Sequence, residues 1–67
     1  MNIADLRLGA TILNKFLKDY SVWEHNRQGS CPVYDRNYIY RELYAMGYDT
    51  ADAKRIRNRI AIIAAEN

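Results

Sequence analysis

Two side chains in this sequence, His25 and Cys31, have the chemistry of a general base and a nucleophile. Catalysis by such a pair requires the two groups within about 3 Å of each other, a third group that orients the imidazole, and a pocket that excludes water. A chain of 67 residues has little material for that pocket. We therefore expect an exposed histidine, a buried cysteine that packs as a small apolar residue, and no enzymatic activity.

The sequence offers no ligand set for a metal ion or a cofactor. Its single cysteine excludes an intramolecular disulfide, and one cysteine with one histidine cannot supply the three or four soft ligands of an ordinary zinc site. It contains no glycine-rich phosphate loop and no paired-carboxylate motif. We expect no cofactor and no metal.

The C-terminal segment carries four basic residues: Lys54, Arg55, Arg57 and Arg59. With Ile56 toward the core, helical periodicity places Lys54 and Arg57 on one flank, and Arg55 and Arg59 on the other near Asp52 and Glu66. Two interpretations stay open. One flank, with Lys15 or Lys18, binds phosphates, or the face is solvated and its arginine stems cover the core edge. The net charge of +2 is small for a dedicated nucleic-acid-binding protein.

The aromatic residues are more informative, because six tyrosines with Trp23 and Phe16 exceed what a small core needs. With Ile39, Leu43 and Met46 directed inward, Tyr40 and Tyr44 lie one turn apart in a row with Arg36, and Tyr38 lies opposite. Tyrosine, tryptophan and arginine are enriched at interface hot spots. We predict a protein-binding surface made by the loop and this row: Trp23, His25, Arg27, Tyr34, Arg36, Tyr40 and Tyr44.

The first helical segment has an unusually wide apolar arc. Asn2 and Asp5 form its N-terminal cap. One stripe at helical period holds Ile3, Leu6, Ala10, Leu13, Leu17 and Tyr20, and the neighbouring arc holds Leu8, Ile12 and Phe16. We expect this helix to be central, contacted by two helices or by a second subunit, and to end near Val22 or Trp23. Gly9 indicates a close helix crossing.

Two shorter helices follow a loop over residues 25–34, whose turn formers and proline break the helix. Asp35 caps the second helix, which runs through Met46 to Gly47, and Tyr48 closes its end. Asp49 or Thr50 caps the third helix. Its buried face holds Ala53, Ile56, Ile60, Ile63 and Ala64, while Ile62 points away from that face.

The segment Leu43-x-x-Met46-Gly47-Tyr48-x-x-x-x-Ala53 resembles the first helix, loop and second helix of ubiquitin-associated domains. In that family the loop contributes much of the surface that contacts ubiquitin. This sequence departs from the pattern at Arg57, where the family has a core leucine. The residues after Ala53 leave no room for the family's third helix, so we do not assign the chain to it.

These observations predict one all-α domain over residues 1–67, a small three-helix domain with a long first helix, an ordered loop and a C-terminal helical hairpin. We expect a cytoplasmic, non-enzymatic regulatory or inhibitory protein that docks on a protein partner. Its size suits a phage or mobile-element factor acting on host machinery. The alternatives are a nucleic-acid-binding protein that uses the basic third helix, and a subunit of a homo-oligomer. No apolar run is long enough to span a membrane.

Overall fold

The computed structural model describes residues 3–66, with side chains described through Ile62, and shows three helices. The helices are α1 (Ile3–Asn26), α2 (Arg36–Ala45) and α3 (Thr50–Glu66). Residues 3–66 contain no strand, so the predicted all-α, three-helix fold is confirmed. The predicted cap at Asn2 and the predicted positions of the Ile63, Ala64 and Glu66 side chains lie outside the described part. No helix in the described range is long and apolar enough to cross a membrane.

Helix α1 continues beyond its predicted end. It reaches Asn26, so Trp23 and His25 lie in its last turns and not in the loop. It stops where Arg27 adopts a left-handed φ of 55° and its N–H donates to the carbonyl of Trp23, 2.6 Å away. The predicted end near Val22 or Trp23 was wrong because no glycine or proline lies between Trp23 and Gly29 to interrupt the helix.

Both ends of α2 follow the sequence prediction. The Asp35 carboxylate accepts a hydrogen bond from the Tyr38 N–H at 2.9 Å, as an N-terminal cap does. At the other end Gly47 has a φ of 100°, and the Tyr48 N–H donates to the Leu43 carbonyl at 3.2 Å. This is a Schellman ending, which requires a left-handed residue where the glycine stands.

Helix α3 starts immediately after that turn. The Asp49 carboxylate accepts a hydrogen bond from the Asp52 N–H at 2.8 Å, so Asp49 is the cap. Met46, predicted to face the core, is exposed because it lies in the turn that ends α2. Ile62 is exposed as well, in agreement with its predicted direction away from the core stripe.

The core is small and is built where α3 meets the other two helices. Its buried apolar residues are Ile12, Tyr38, Ile39, Leu43, Ala53, Ile56 and Ile60. The crossing of α1 and α3 is close at Gly9, since a Cβ built there would lie 3.4 Å from Cγ2 of Ile60. The close crossing predicted from Gly9 is therefore confirmed.

The side of α1 that faces the core is not the six-residue stripe from Ile3 to Tyr20 but the neighbouring arc. It packs with Leu8, Ile12 and Phe16, whereas most of the other stripe is exposed. We call that set the α1 stripe: Ile3, Leu6, Ala10, Leu13, Leu17 and Tyr20. The predicted contact of α1 with two helices is confirmed, because α2 and α3 both contact α1 on the side of the Leu8–Ile12–Phe16 arc.

Candidate binding surface

The most distinctive surface feature is a pair of stacked tyrosines on α2. The rings of Tyr40 and Tyr44 have centroids 6.2 Å apart and planes inclined by 23°. Tyr40 packs partly against the core, and Tyr44 is 60% exposed. The pair results from the i, i+4 spacing on a flank of α2, as the sequence predicted. Two rigid rings thus present a large area to solvent, with little conformational entropy to lose on binding.

Helix α3 contributes a cation to the same place. The Arg57 guanidinium carbon lies 5.8 Å from the centroid of the Tyr40 ring, and its Nε donates to the side-chain oxygen of Asn58 at 3.2 Å. Lys54 lies on the same flank of α3, three residues before Arg57. The tyrosine row of α2 and the Lys54–Arg57 flank of α3 therefore form one surface.

We call this surface the α2–α3 face. Its members are Arg36, Tyr40, Arg41, Tyr44, Lys54 and Arg57. Arg36 lies one turn before Tyr40, and Arg41 lies three residues before Tyr44; both are exposed. No carboxylate among the described side chains pairs with Arg36, Arg41 or Lys54.

The carboxylates are engaged elsewhere in the molecule. Asp35 and Asp49 cap helices, as described above. The others form ion pairs: Asp5 with Arg59, Asp19 and Glu42 with Lys15, and Asp52 with Arg55. Of the described acidic side chains only Glu24 lacks such a role. Four of the seven described cations that have no carboxylate partner therefore lie on the α2–α3 face, and the other three lie on α1 and the loop.

The four basic residues predicted as a nucleic-acid site lie on two flanks of α3, and two of them form ion pairs. Arg55 pairs with Asp52 one turn away, and Arg59 Nε lies 3.1 Å from Oδ2 of the buried Asp5. Lys54 and Arg57 lie on the opposite flank, as the helical periodicity predicted. Only two of the four cations are therefore without a carboxylate partner.

The loop forms a separate aromatic cluster. Trp23 Nε1 donates to the Gly29 carbonyl at 3.1 Å, and the Arg27 guanidinium lies 5.0 Å from the Trp23 ring centroid. His25 is exposed in the last turn of α1. Tyr34 is half-buried, with its ring centroid 5.3 Å from that of Phe16, and burial raises its pKa. Tyr34 therefore belongs to the edge of the core.

The described contacts do not join this cluster to the tyrosine row, so the predicted surface consists of two separate groups of residues, and its role in protein binding stays a prediction. Tyr38 separates the two: it is buried on the α1 side of α2, where its ring lies 5.3 Å from that of Phe16. Tyr40 faces α3 on the other flank. Of the predicted protein-binding residues, Arg36, Tyr40 and Tyr44 stay together. Trp23, His25, Arg27 and Tyr34 belong to the end of α1 and the loop.

A polar network fixes α1 to α2 beside this cluster. The Tyr38 hydroxyl donates to Oδ2 of Asp19 at 3.0 Å, and Lys15 Nζ lies 3.0 Å from Asp19 and 2.7 Å from Glu42. Burial, reinforced by the hydrogen bond to the Asp19 carboxylate, raises the pKa of Tyr38 to about 12. The hydrogen bonds from Lys15 and Tyr38 lower the pKa of Asp19. Both shifts result from the contacts that join α1 to α2.

Cys31 is exposed, so the prediction that it packs as a buried apolar residue was wrong. It lies in the open connection between α1 and α2, where its thiol donates to the Pro32 carbonyl at 3.5 Å. Within the described part of the chain no cluster of acidic, histidine or cysteine side chains could hold a metal ion.

Comparison with known proteins does not assign the chain to a family. No family model matches the chain, and no curated protein and no solved structure is significantly similar to it. The segment that resembles ubiquitin-associated domains forms the α2–α3 turn. Arg57, which replaces the family's core leucine, lies half-buried beside Tyr40 instead of in the core.

Sequence reasoning missed two features of the α2–α3 face. Arg57 was assigned with the basic residues of the third helix, and its contact with Tyr40 was not predicted. Arg41 was not singled out at all. The available signal was a comparison of the two helical flanks, since Tyr40–Tyr44 and Lys54–Arg57 each lie beside their own core stripe.

Proposed function

We propose that this protein is a non-enzymatic regulator that docks on the acidic surface of a protein partner through the α2–α3 face. The observation that carries the proposal is the stacked Tyr40–Tyr44 pair beside Arg57, on a face whose cations have no carboxylate partner among the described side chains. Aromatic rings and arginine supply hot-spot contacts, and the positive charge selects a partner of opposite sign.

The charge distribution favours a protein over a nucleic acid as the partner. A surface that follows a phosphate backbone needs several cations in one stripe, and ion pairs with Asp52 and Asp5 occupy Arg55 and Arg59. Nucleic-acid binding stays the second candidate, because the remaining cations lie beside two rings on which bases stack.

The test compares capture of partners by the wild-type protein and by Tyr40→Ala/Tyr44→Ala. We expect the double variant to lose about 2 kcal/mol of binding free energy or more for the captured protein, as hot-spot truncations do. Val22→Ala/Val33→Ala removes two exposed apolar side chains elsewhere and serves as the control. Because Tyr40 also contacts the core, Tyr44→Ala alone provides a version that leaves the core intact.

A charge-reversal experiment distinguishes a protein partner from a nucleic-acid partner. Lys54→Glu/Arg57→Glu changes the α2–α3 face, and Arg7→Glu/Lys18→Glu makes the same net change on α1. We expect only the first to abolish capture, and nuclease treatment to leave the wild-type capture intact. Tight binding of a labelled single- or double-stranded oligonucleotide, lost between about 50 and 200 mM salt, would instead identify a nucleic-acid-binding protein. Unchanged capture by every variant contradicts the assigned surface.

A further inference from the structure

The α1 stripe has the spacing of a coiled-coil contact. Its residues Ile3, Leu6, Ala10, Leu13, Leu17 and Tyr20 are alternately three and four positions apart. That alternation gives a mean repeat of 3.5 residues, which keeps a row of side chains directed at a partner helix. The arc that packs inside this molecule, Leu8, Ile12 and Phe16, repeats every four residues and does not have this pattern.

No element within the described residues covers this stripe. Ile3, Leu6, Leu13 and Leu17 are 67%, 42%, 39% and 54% exposed, respectively. Helical geometry places the stripe about 130° around α1 from the Leu8–Ile12–Phe16 arc. These side chains form one continuous apolar row, and a helix that packed along it would remove them from water.

Charges near the two ends of the stripe select both the occupant and its direction. Arg7 flanks the stripe near its N-terminal end, and Glu24 lies at the next position of the same repeat after Tyr20. Neither side chain has an ion-pair partner in the described part of the chain. An antiparallel second copy of α1 brings each Arg7 near the partner's Glu24, whereas a parallel copy pairs like charges.

We propose that this protein forms an antiparallel homodimer in which the α1 stripe of one copy packs against that of a second. In the register that places Ala10 opposite the partner's Leu17, each Arg7 lies one helical turn from the partner's Glu24, and a small side chain accommodates a large one at two symmetric positions. The helix dipoles of the two α1 helices oppose each other, which is also favourable. The α2–α3 face shares no residue with the stripe.

The contact is narrow, so the dimer is reversible. Seventeen steps of about 1.5 Å give the stripe a length of about 26 Å, and a helix is about 10 Å wide. The resulting strip is on the order of 260 Å² per protomer, small beside the about 800 Å² per partner of a standard interface. We expect a dissociation constant on the order of micromolar or weaker.

Sedimentation equilibrium of the full chain over a range of concentrations tests the dimer. The expected mass rises from 7.9 kDa toward twice that value for the wild type. Leu13→Glu/Leu17→Glu should weaken association at least about tenfold, and Val22→Glu/Val33→Glu, which changes exposed valines outside the stripe, should leave it unchanged. If the leucine variant loses helicity, Ala10→Glu replaces it, since Ala10 is exposed and glutamate is a good helix former.

Cross-linking tests the direction of the two helices. On a Cys31→Ser background, Ala10→Cys chains mixed with Leu17→Cys chains should form a mixed disulfide dimer in preference to either pure dimer. Preferential Ala10–Ala10 or Leu17–Leu17 cross-links would overturn the antiparallel arrangement. A monomeric mass at all concentrations up to about millimolar would overturn the dimer. Dimerisation lost in Tyr40→Ala/Tyr44→Ala but kept in Leu13→Glu/Leu17→Glu would assign the subunit contact to the α2–α3 face instead.

Discussion

At the scale of single residues, the Tyr38 hydroxyl links stability to pH. Its pKa rises from 10.0 to about 12, so the folded protein holds this proton more tightly than the unfolded chain. The stability that this group contributes is fully present below pH 10 and is lost as the pH rises to about 12. We expect Tyr38→Phe to lower the free energy of unfolding by about 1 kcal/mol at neutral pH and to make the alkaline loss shallower.

Chemical denaturation at a series of pH values measures both effects. Tyr44→Phe is the matched control, because its hydroxyl makes no hydrogen bond among the described residues and its ring is exposed. A residual alkaline loss persists in Tyr38→Phe, since the pKa values of Tyr34 and Lys15 are also raised. An alkaline loss in Tyr38→Phe equal to that of the wild type would show that the hydroxyl is not the titrating group.

At the scale of helices, the crossing of α1 and α3 depends on Gly9. A methyl group there would contact Ile60 at ordinary van der Waals distance, with Cγ2 at 3.4 Å and Cγ1 at 3.8 Å. We expect Gly9→Ala to stabilise the protein by up to about 1 kcal/mol, because alanine fits and removes the entropic cost of a helical glycine. Gly9→Leu should cost about 1–3 kcal/mol, since its side chain displaces Ile60.

Thermal or urea unfolding of both variants in dilute solution measures this difference. We expect the free energy of unfolding to rise for Gly9→Ala and to fall for Gly9→Leu. If alanine destabilises the protein as leucine does, the helices cross more tightly than the observed separation implies.

The sequence predicted where helix α2 begins and ends and where α3 begins, but not which side of α1 faces the core. The boundaries of α2 and the start of α3 followed from Asp35, Gly47 and Asp49, because caps and turns depend on neighbouring residues. The apolar pattern of α1 did not show which arc faces the core. That choice depends on the close approach at Gly9, which needs the other helices in place.

For the candidate site, the sequence likewise predicted the features that lie within one helix and missed the contacts between elements. The Tyr40–Tyr44 row and the split of the basic residues follow from helical periodicity within one element. The contact of Arg57 with Tyr40 and the burial of Tyr34 arise between elements, so a linear pattern carries no direct signal for them.

At the scale of the whole molecule, stability depends on very few side chains. A chain of this length has about 3–10 kcal/mol of stability in total. Leu43 is fully buried, so we expect Leu43→Ala to cost about 2–5 kcal/mol and to leave much of the protein unfolded at body temperature. Leu17→Ala should cost much less in dilute solution, because Leu17 is mostly exposed in the monomer.

Far-UV circular dichroism during heating compares these two variants, which make the same chemical change at different depths. Equal losses would show that the α1 stripe is covered even in the monomer. A small loss for Leu17→Ala that grows with protein concentration would fit its burial in a dimer.

Because Trp23 donates a hydrogen bond to Gly29, its fluorescence can be used to follow the contact between the end of α1 and the loop. Trp23 is the single tryptophan, and its indole ties the end of α1 to the loop. The Tyr20 ring, 5.7 Å away, is close enough to pass excitation energy to it. Fluorescence excited at the tyrosine band therefore follows the local opening of this connection without any added dye, while the helical signal follows the rest of the molecule.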